Sequence, residues 1–305
     1  MSNMSQTLET LRTSQRFQKR FSLALRLIIA VILIFFAIFP VLWIVSASFD
    51  PSQSLANQTS LIPKNASFKN YQRLFGQDPD YKFGDLVFQK WLFNSVKISG
   101  ISTILSLGIT TMAAYAFSRM RFKGRVTMLK GILLIQVFPN LLALVAIYVL
   151  IFQAGEIIPA LGLNTHAGLI MVYLGGSMGM NIWLMKGFLD TIPRDIDESG
   201  MVDGASHFQI FYNLILPLLR PILVVIGILS FIGTYGDFIL ARILLNDVDQ
   251  YTLMVGLQIF TAGQFDQKWG VFAAGALIGA LPIMIIYLVL QDQIVGGLTT
   301  GAVKG

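Results

Sequence analysis

Nineteen consecutive residues, Leu27 to Val45, carry no charge, and fifteen of them are Leu, Ile, Phe or Val. A helix on the surface of a soluble domain keeps a polar face, whereas this run is apolar all round, the pattern of a segment surrounded by lipid. At roughly −0.3 to −0.6 kcal/mol per such residue, its insertion into a bilayer is favourable by several kcal/mol. It is also long enough to cross the hydrocarbon core. Further uncharged blocks cover Ile98 to Ser118, Gly131 to Gln153, Ala167 to Met185, Pro221 to Gly236 and Trp269 to Gln291, so the sequence predicts six spans, the fifth being the shortest. Pro40, Pro139, Pro221 and Pro282 lie in or beside these blocks and are read as kinks, because neighbouring helices can satisfy freed backbone groups.

Composition supports lipid as the solvent. The 305 residues are 55% hydrophobic and 12% charged, with a mean hydropathy of +0.69, against about 25% charged in a soluble domain. The absence of cysteine excludes disulfides, iron–sulfur clusters and thiolate zinc sites. His166 and His207 lie far apart in the chain, so they do not suggest a metal site, which needs several convergent ligands. A formal charge of +6 would suit nucleic acid only if the basic residues gathered on one solvated face. They flank the apolar blocks instead, where they set membrane orientation.

Short loops fix that orientation. The connection after the second block carries Arg119, Arg121, Lys123, Arg125 and Lys130, whereas Ala154 to His166 carries no Lys or Arg. The first is therefore expected in the cytoplasm and the second outside. Threading six spans from there gives a cytoplasmic arm over 1–26, a first span over 27–45, an external loop over 46–90, a membrane core over 91–294 and a cytoplasmic tail over 295–305. Both termini are then cytoplasmic, and Lys186 to Arg220 is the longest internal excursion.

Within that excursion Thr191 to Pro217 is too polar at its start to span lipid. Thr191 is read as an N-cap, with Pro193 in the first turn and Asp195, Asp197 and Glu198 near the positive end of the helix dipole. Asp203-Gly204 signals a turn. A second helix follows, carrying Phe208, Phe211, Tyr212 and Leu216 at spacings of three and four. The sequence thus encodes two short helices at about 191–216, with a glycine at the joint.

These residues resemble the cytoplasmic EAA motif of ABC importer permeases, in which Glu-Ala-Ala, three residues, Gly, nine residues, Ile, one residue and Leu-Pro recur. The matching positions are Glu198, Ser199, Gly200, Gly204, Leu214, Leu216 and Pro217, around an Asp203-Gly204-Ala205 core. Ser199 and Gly200 stand where the motif has alanines and Leu214 where it has isoleucine, and Gly200 makes the first helix intrinsically weaker than alanine would. The stretches NSVKISG at 94–100, AYAFSRMRFKG at 114–124, LGLNTH at 161–166 and the tail GLTTGAVKG at 297–305 extend the resemblance to MalG-type permeases of maltose/maltodextrin importers over nearly the whole chain.

The resemblance implies an all-α, six-span type I importer permease of the bacterial cytoplasmic (inner) membrane. It further implies a MalF-type second permease, two cytoplasmic ABC ATPase subunits that use ATP and Mg, and an extracytoplasmic sugar-binding protein. The EAA helices would dock in a cleft of the ATPase, and the tail, with Thr299, Thr300, Gly301, Val303 and Lys304, would reach the ATPase dimer interface. No Gly-x-x-x-x-Gly-Lys-Ser/Thr phosphate loop exists in this chain, so ATP falls to another subunit and no cofactor is expected here. Neither a nucleophile–base pair nor another catalytic constellation can be assembled, which points to a transport subunit and not an enzyme. An ABC permease for a different sugar is the first competing reading and a self-contained, ion-driven secondary transporter the second, and the chain shows no internal repeat to favour the latter.

Ser95, Ser99, Ser102, Ser106 and Thr110 share one face of the second span. They line either a translocation path or, the favoured reading, a close helix contact. Gln136, Asn140 and Asn181 either touch sugar hydroxyls along that path or, the more usual explanation, make hydrogen bonds between helices. Lys97 is read as an interfacial anchor, and Asp237 with Arg242 as a pair or as the exit of the fifth span.

Overall fold

The computed structural model describes residues 2–53, 61–63, 65–78, 87–262 and 267–302, with side chains described except at 2–18, 20, 140–141 and 294–302. Among the described residues the chain is helical, with no strand. Lipid dictates this result, because a helix pairs its backbone groups within one segment. Four helices are long and apolar enough to cross a membrane: Phe21–Phe49 within α1 (Ser2–Phe49), α3 (Val87–Arg119), α6 (His166–Leu189) and Trp269–Gln293 within α12 (Trp269–Ala302). Two bent pairs bring the number to six when each is counted as one span: α4 (Arg125–Val137) with α5 (Asn140–Ile157), and α8 (His207–Leu218) with α9 (Arg220–Tyr235).

The prolines explain the bends, and not all act as the sequence suggested. Pro40 and Pro282 lie inside continuous helices. Pro139 divides the expected third span: Phe138 before it is extended (φ −68°, ψ 131°), as a residue preceding proline prefers, and two helices replace the single helix predicted over 131–153. Pro221 sits in the first turn of α9, where its missing N–H costs nothing, so it opens a helix and does not kink one. The 76° bend falls just before it, at Leu219.

α3 is the centre of the bundle, packing along α6 and α9. α4 lies on α6, while α12 joins α9 to α1. α1 is exposed over most of its apolar length and becomes buried only at Ser46, Ala47 and Ser48. There the short helix α2 (Lys69–Leu74) fastens it: Asn70 Nδ2 donates to the Ser48 and Asp50 carbonyls at 3.0 and 2.8 Å, and the Tyr71 hydroxyl bonds Ser48 Oγ at 2.9 Å.

The segment after α9 holds structure that hydropathy did not reveal. α10 (Ile239–Leu244) packs on α6 and α5, a 3₁₀ turn at Val248–Gln250 lies on α3, and α11 (Leu253–Gln258) lies on α3 and α12. The start of α3 holds the latter two. Trp91 Nε1 donates to the Val248 carbonyl at 2.8 Å, Asn94 Nδ2 to those of Asp249 and Tyr251 at 2.9 and 3.0 Å, and Leu253 N–H to Ser95 Oγ at 2.7 Å. Trp91 is fully buried and lies against Gly256, where an added Cβ would come within 2.1 Å of the indole ring. Overpacking of this kind costs roughly 1–3 kcal/mol. Gly256→Ala is therefore expected to lower the thermal unfolding midpoint of the purified chain in detergent, measured by intrinsic fluorescence; an unchanged midpoint would mean that the Trp91 pocket yields freely.

Candidate functional site

The two-helix segment expected from the sequence is present as α7 (Asp195–Val202) and α8, at the end of the bundle that carries the basic turn after α3. α7 starts later than the sequence suggested. Thr191 does not cap it, since its hydroxyl donates to the Phe188 carbonyl at 2.7 Å in the turn that closes α6; Arg194 occupies the N-cap without a side-chain bond. Asp195, Asp197 and Glu198 fill the first turn and complement the helix dipole.

The joint is closed at both ends by local chemistry. After α7, Ala205 N–H bonds the Gly200 carbonyl and Gly204 N–H the Met201 carbonyl, each at 3.0 Å, with Gly204 at φ +78°. This Schellman arrangement requires the left-handed conformation that glycine adopts without strain. Ser206 then caps α8 reciprocally with Gln209: Ser206 N–H donates to Gln209 Oε1 at 2.8 Å, and Gln209 N–H to Ser206 Oγ at 3.3 Å. Ser-x-x-Gln is a readable capping signal, and it escaped the sequence analysis. Within α8, Ile210–Ile215 widens into π geometry, with Leu216 N–H bonding Phe211 O. Pro217 follows, supplying no N–H and crowding the carbonyl four residues back, so the turn before it opens.

α8 is embedded in the bundle. Ile210, Phe211, Ile215 and Leu219 form one buried cluster with Ala114 and Tyr115 of α3, Met185 and Leu189 of α6 and Ile226 of α9. The Tyr115 and Phe211 rings lie 5.0 Å apart. Gly200 explains its own presence: an added Cβ would stand 3.0 Å from Ile210 and Leu214 side-chain carbons, so glycine lets α7 and α8 approach closely. The lower helix propensity is offset by that contact.

Charged groups lock the same joint. Arg119 Nε lies 2.9 Å from Asp197 Oδ2, and both side chains are under a tenth exposed. Arg119 also donates to the Ile192 carbonyl at 2.9 Å, Arg194 to the Ser118 carbonyl at 3.3 Å, and Ser118 Oγ to Asp190 at 2.5 Å. Lys186 reaches the other Asp190 oxygen at 2.5 Å. Burial alone would raise the Asp190 pKa, but bonds from Lys186 and Ser118, with the charges of Lys186 and Arg119, hold it below the usual carboxylate value. None of these pairings was legible in sequence, where Arg119 read as an orientation signal and Asp197 as a dipole partner.

The opposite surface of the joint faces outward. Glu198, Ser199, Asp203 and Gly204 are exposed, Ala205 and Leu216 half-buried, and Leu214 and Pro217 exposed along α8. Apolar side chains stand beside them: Val202 is 88% exposed and Phe208 71%, with Phe208 stacked on Tyr212. α12 continues to Ala302, which puts the backbone of Thr299, Thr300 and Gly301 in helix; their side chains, together with Val303 and Lys304, lie outside the described residues.

The hydroxyls of the second span turn inward. Ser99, Ser102 and Ser106 are all but fully buried, and Ser106 lies 3.2 Å from Ser177 Oγ. Asn181 Nδ2 bonds Ser106 Oγ at 3.3 Å and Ser230 Oγ at 3.0 Å, tying α3, α6 and α9 together. Gln136 Nε2 approaches the Gly176 carbonyl at 3.5 Å; Asn140 opens α5, and its side chain lies outside the described residues. Asp237 and Arg242 do not pair. Asp237 accepts from the Tyr173 hydroxyl and Ala241 N–H at 2.9 and 3.0 Å, while Arg242 turns to Tyr251. Asp237 also provides the one charged side chain lining an apolar cavity of about 490 Å³ between α5, α6 and α10. Among the described residues no three His, Asp or Glu converge on a metal site.

Residues 104–298 match the family described as the binding-protein-dependent transport system inner membrane component. The chain belongs to this family. The permease is 45% identical over 273 residues to the maltose/maltodextrin transport system permease protein MalG of Vibrio vulnificus YJ016, covering 88% of this chain and 91% of that one. The MalG proteins of Escherichia coli K12 and Salmonella typhimurium LT2 are 43% and 42% identical, over 88% and 90% of this chain and 90% and 94% of theirs. A solved bacterial ABC transporter involved in import of the acidic polysaccharide alginate has a chain with a TM-score of 0.75, covering 90% of this permease and 96% of that chain at 21% identity. The fold is that of type I importer permeases, in a multi-pass inner-membrane component.

Asp190 gives this site a pH signature. Because its folded-state pKa is depressed, its ion pair is present at neutral pH and is lost as pH falls below about 4, through the unfolded value and then the folded one. With the carboxylate side chain 44% exposed, water screens the pair and its worth is at most about 1 kcal/mol. Denaturation of Asp190→Asn should show a loss of that order at pH 7 that shrinks towards pH 3; a loss constant with pH would assign it to packing instead.

Proposed function

We propose that this chain is the MalG-like membrane-spanning permease of an ATP-driven importer of maltose/maltodextrin-type oligosaccharides. Identity of 42–45% to maltose/maltodextrin permeases over about 90% of the chain supports the substrate class. The observation that carries the coupling role is the joint itself: one side of α7–α8 is packed into the bundle, while the other presents Glu198, the Asp203-Gly204 turn and the Val202, Phe208 and Tyr212 side chains. An exposed apolar patch rimmed by polar residues suits a protein partner. A docked ATPase can then move the spans as rigid bodies, and Glu198 is placed for a charge-assisted hydrogen bond with an arginine on it.

In this reading the translocation path forms between this chain and a MalF-type second permease. Two ABC ATPase subunits bind ATP and Mg on the cytoplasmic side, and a sugar-binding protein delivers cargo outside. The chain does no hydrolysis itself. Both termini and the α7–α8 joint lie in the cytoplasm, consistent with Arg119, Arg121, Lys123, Arg125 and Lys130 gathered on that side. The tail from Gly297, which begins within α12, approaches the ATPase pair in this reading.

Uptake of labelled maltotriose into proteoliposomes containing the whole complex, binding protein and ATP tests this. Glu198→Lys reverses an exposed charge. Gly204→Asp adds a charge at a position where a Cβ meets nothing within 4 Å, with a backbone cost of about 1–2 kcal/mol at its positive φ. Both variants should remain in the membrane yet lose at least about tenfold in uptake, the equivalent of 1.4 kcal/mol of coupling. Wild-type uptake from both, or uptake by the isolated chain without ATP, would overturn the assignment.

A further inference from the structure

We infer that Arg119 and Asp197 are a positioning pair that carries the movement of the coupling segment into the second span, α3. The inference rests on the coupling role proposed above. α7 and α8 are joined through the chain to α6 on one side and to α9 on the other, so motion reaches those spans covalently. α3 has no such connection, although it packs along both α6 and α9. Its link to the joint is made by side chains.

Those side chains are of two kinds. Tyr115 and Ala114 meet α8 through apolar contacts, which are non-directional and tolerate sliding. The last turn of α3 instead meets the segment 190–197 through charge. Asp197 is 5% exposed, and the Arg119 guanidinium stands 2.9 Å from it. Separating two dewatered charges leaves both uncompensated, so this contact resists displacement in every direction. Arg119 Nη2 on the Ile192 carbonyl, Arg194 on the Ser118 carbonyl and Ser118 on Asp190 brace the same turn from both sides. The span and the helix therefore move together.

The pair works by charge more than by hydrogen-bond direction. Although Arg119 Nε and Asp197 Oδ2 are close, neither atom has an in-line hydrogen bond, and Asp197 Oδ1 and the neighbouring Tyr115 hydroxyl also lack a hydrogen-bond partner among the described residues. A lysine at 119 preserves the charge, whereas a glutamine of similar length does not. This distinguishes a clamp from a shape requirement.

The test uses the complete complex in proteoliposomes and reads maltotriose moved per ATP hydrolysed, normalised to assembled complex so that a loss of yield does not enter. Arg119→Gln and Asp197→Asn should continue to hydrolyse ATP while that ratio falls by about tenfold or more, because the joint loses its ion-paired hold on α3. Arg119→Lys should keep most of the wild-type ratio, and the reversed pair Arg119→Asp with Asp197→Arg should recover part of it. A wild-type ratio in both neutral variants, or Arg119→Lys as impaired as Arg119→Gln, would overturn the clamp. Glu198→Lys measured alongside separates the two readings: if it abolishes uptake while the neutral variants keep the wild-type ratio, docking stands and the clamp fails; if it too transports normally, the coupling role itself is wrong.

Discussion

In hydrocarbon every backbone N–H and C=O must find its partner within the protein, since no water is there to supply one. That constraint makes the chain helical, and it also decides where the chain can stop being helical. The irregular points of this bundle fall at Pro139 between α4 and α5, and at Pro217 and Pro221 on either side of the Leu219 bend. Each proline removes a donor that would otherwise need satisfying. The bend at Leu219 is held by bonds from its own N–H to the Ile215 and Leu216 carbonyls, and α9 begins with Leu223 N–H returning to Leu219 O. A sharp change of direction is thereby built with both the N–H and the C=O of Leu219 paired.

The α7–α8 segment depends on that bend. With α8 lying across the end of the bundle, its buried face meets three spans at once and its other face is free. Rigidity comes from several independent local devices: the Schellman closure at Gly204, the capping box of Ser206 and Gln209, the close contact allowed by Gly200, and the ion pair under α7. Loss of one would leave the others in place. Two helices of eight and twelve residues, counted from their bounds, need this redundancy, because helices so short are unstable in isolation.

The layers of this structure were unequally legible in the sequence. Four of the six spans could be read as single continuous helices, because insertion depends on summed apolarity and a sum survives single-residue detail. The α7–α8 segment could be located because motif spacing and turn chemistry are local. What escaped was non-local or conditional. The break at Pro139 depends on whether a neighbouring helix satisfies the freed backbone, which the run of apolar letters does not encode. Trp91, Asn94 and Ser95 hold a segment some 155 residues away, and nothing about Val248 or Tyr251 announces that its carbonyl has a partner on α3. Thr191, with Pro193 and the acidic residues after it, looked like a cap and was outcompeted by the end of α6. Asp237 and Arg242 lie close in sequence, yet Tyr173 and Tyr251 offered better geometry.

Arg119 shows why the charge pattern and the packing pattern cannot be read separately. Its place beside Arg121, Lys123 and Arg125 gives it a topological meaning that any basic residue would serve, since the orientation rule counts charges and not geometry. Its place at the last turn of α3, with an acidic partner on α7 and a carbonyl at Ile192, gives it a second meaning that depends on distance and burial. The other basic residues of that turn are read fully by the first rule. Arg119 alone among them has its side chain under a tenth exposed in an ion pair, so desolvation, which the sequence does not display, distinguishes it from its neighbours. A buried charge at the membrane boundary is stable only when its counter-charge is fixed opposite it. The residue that helps orient the chain thus also requires α7 to lie where it does.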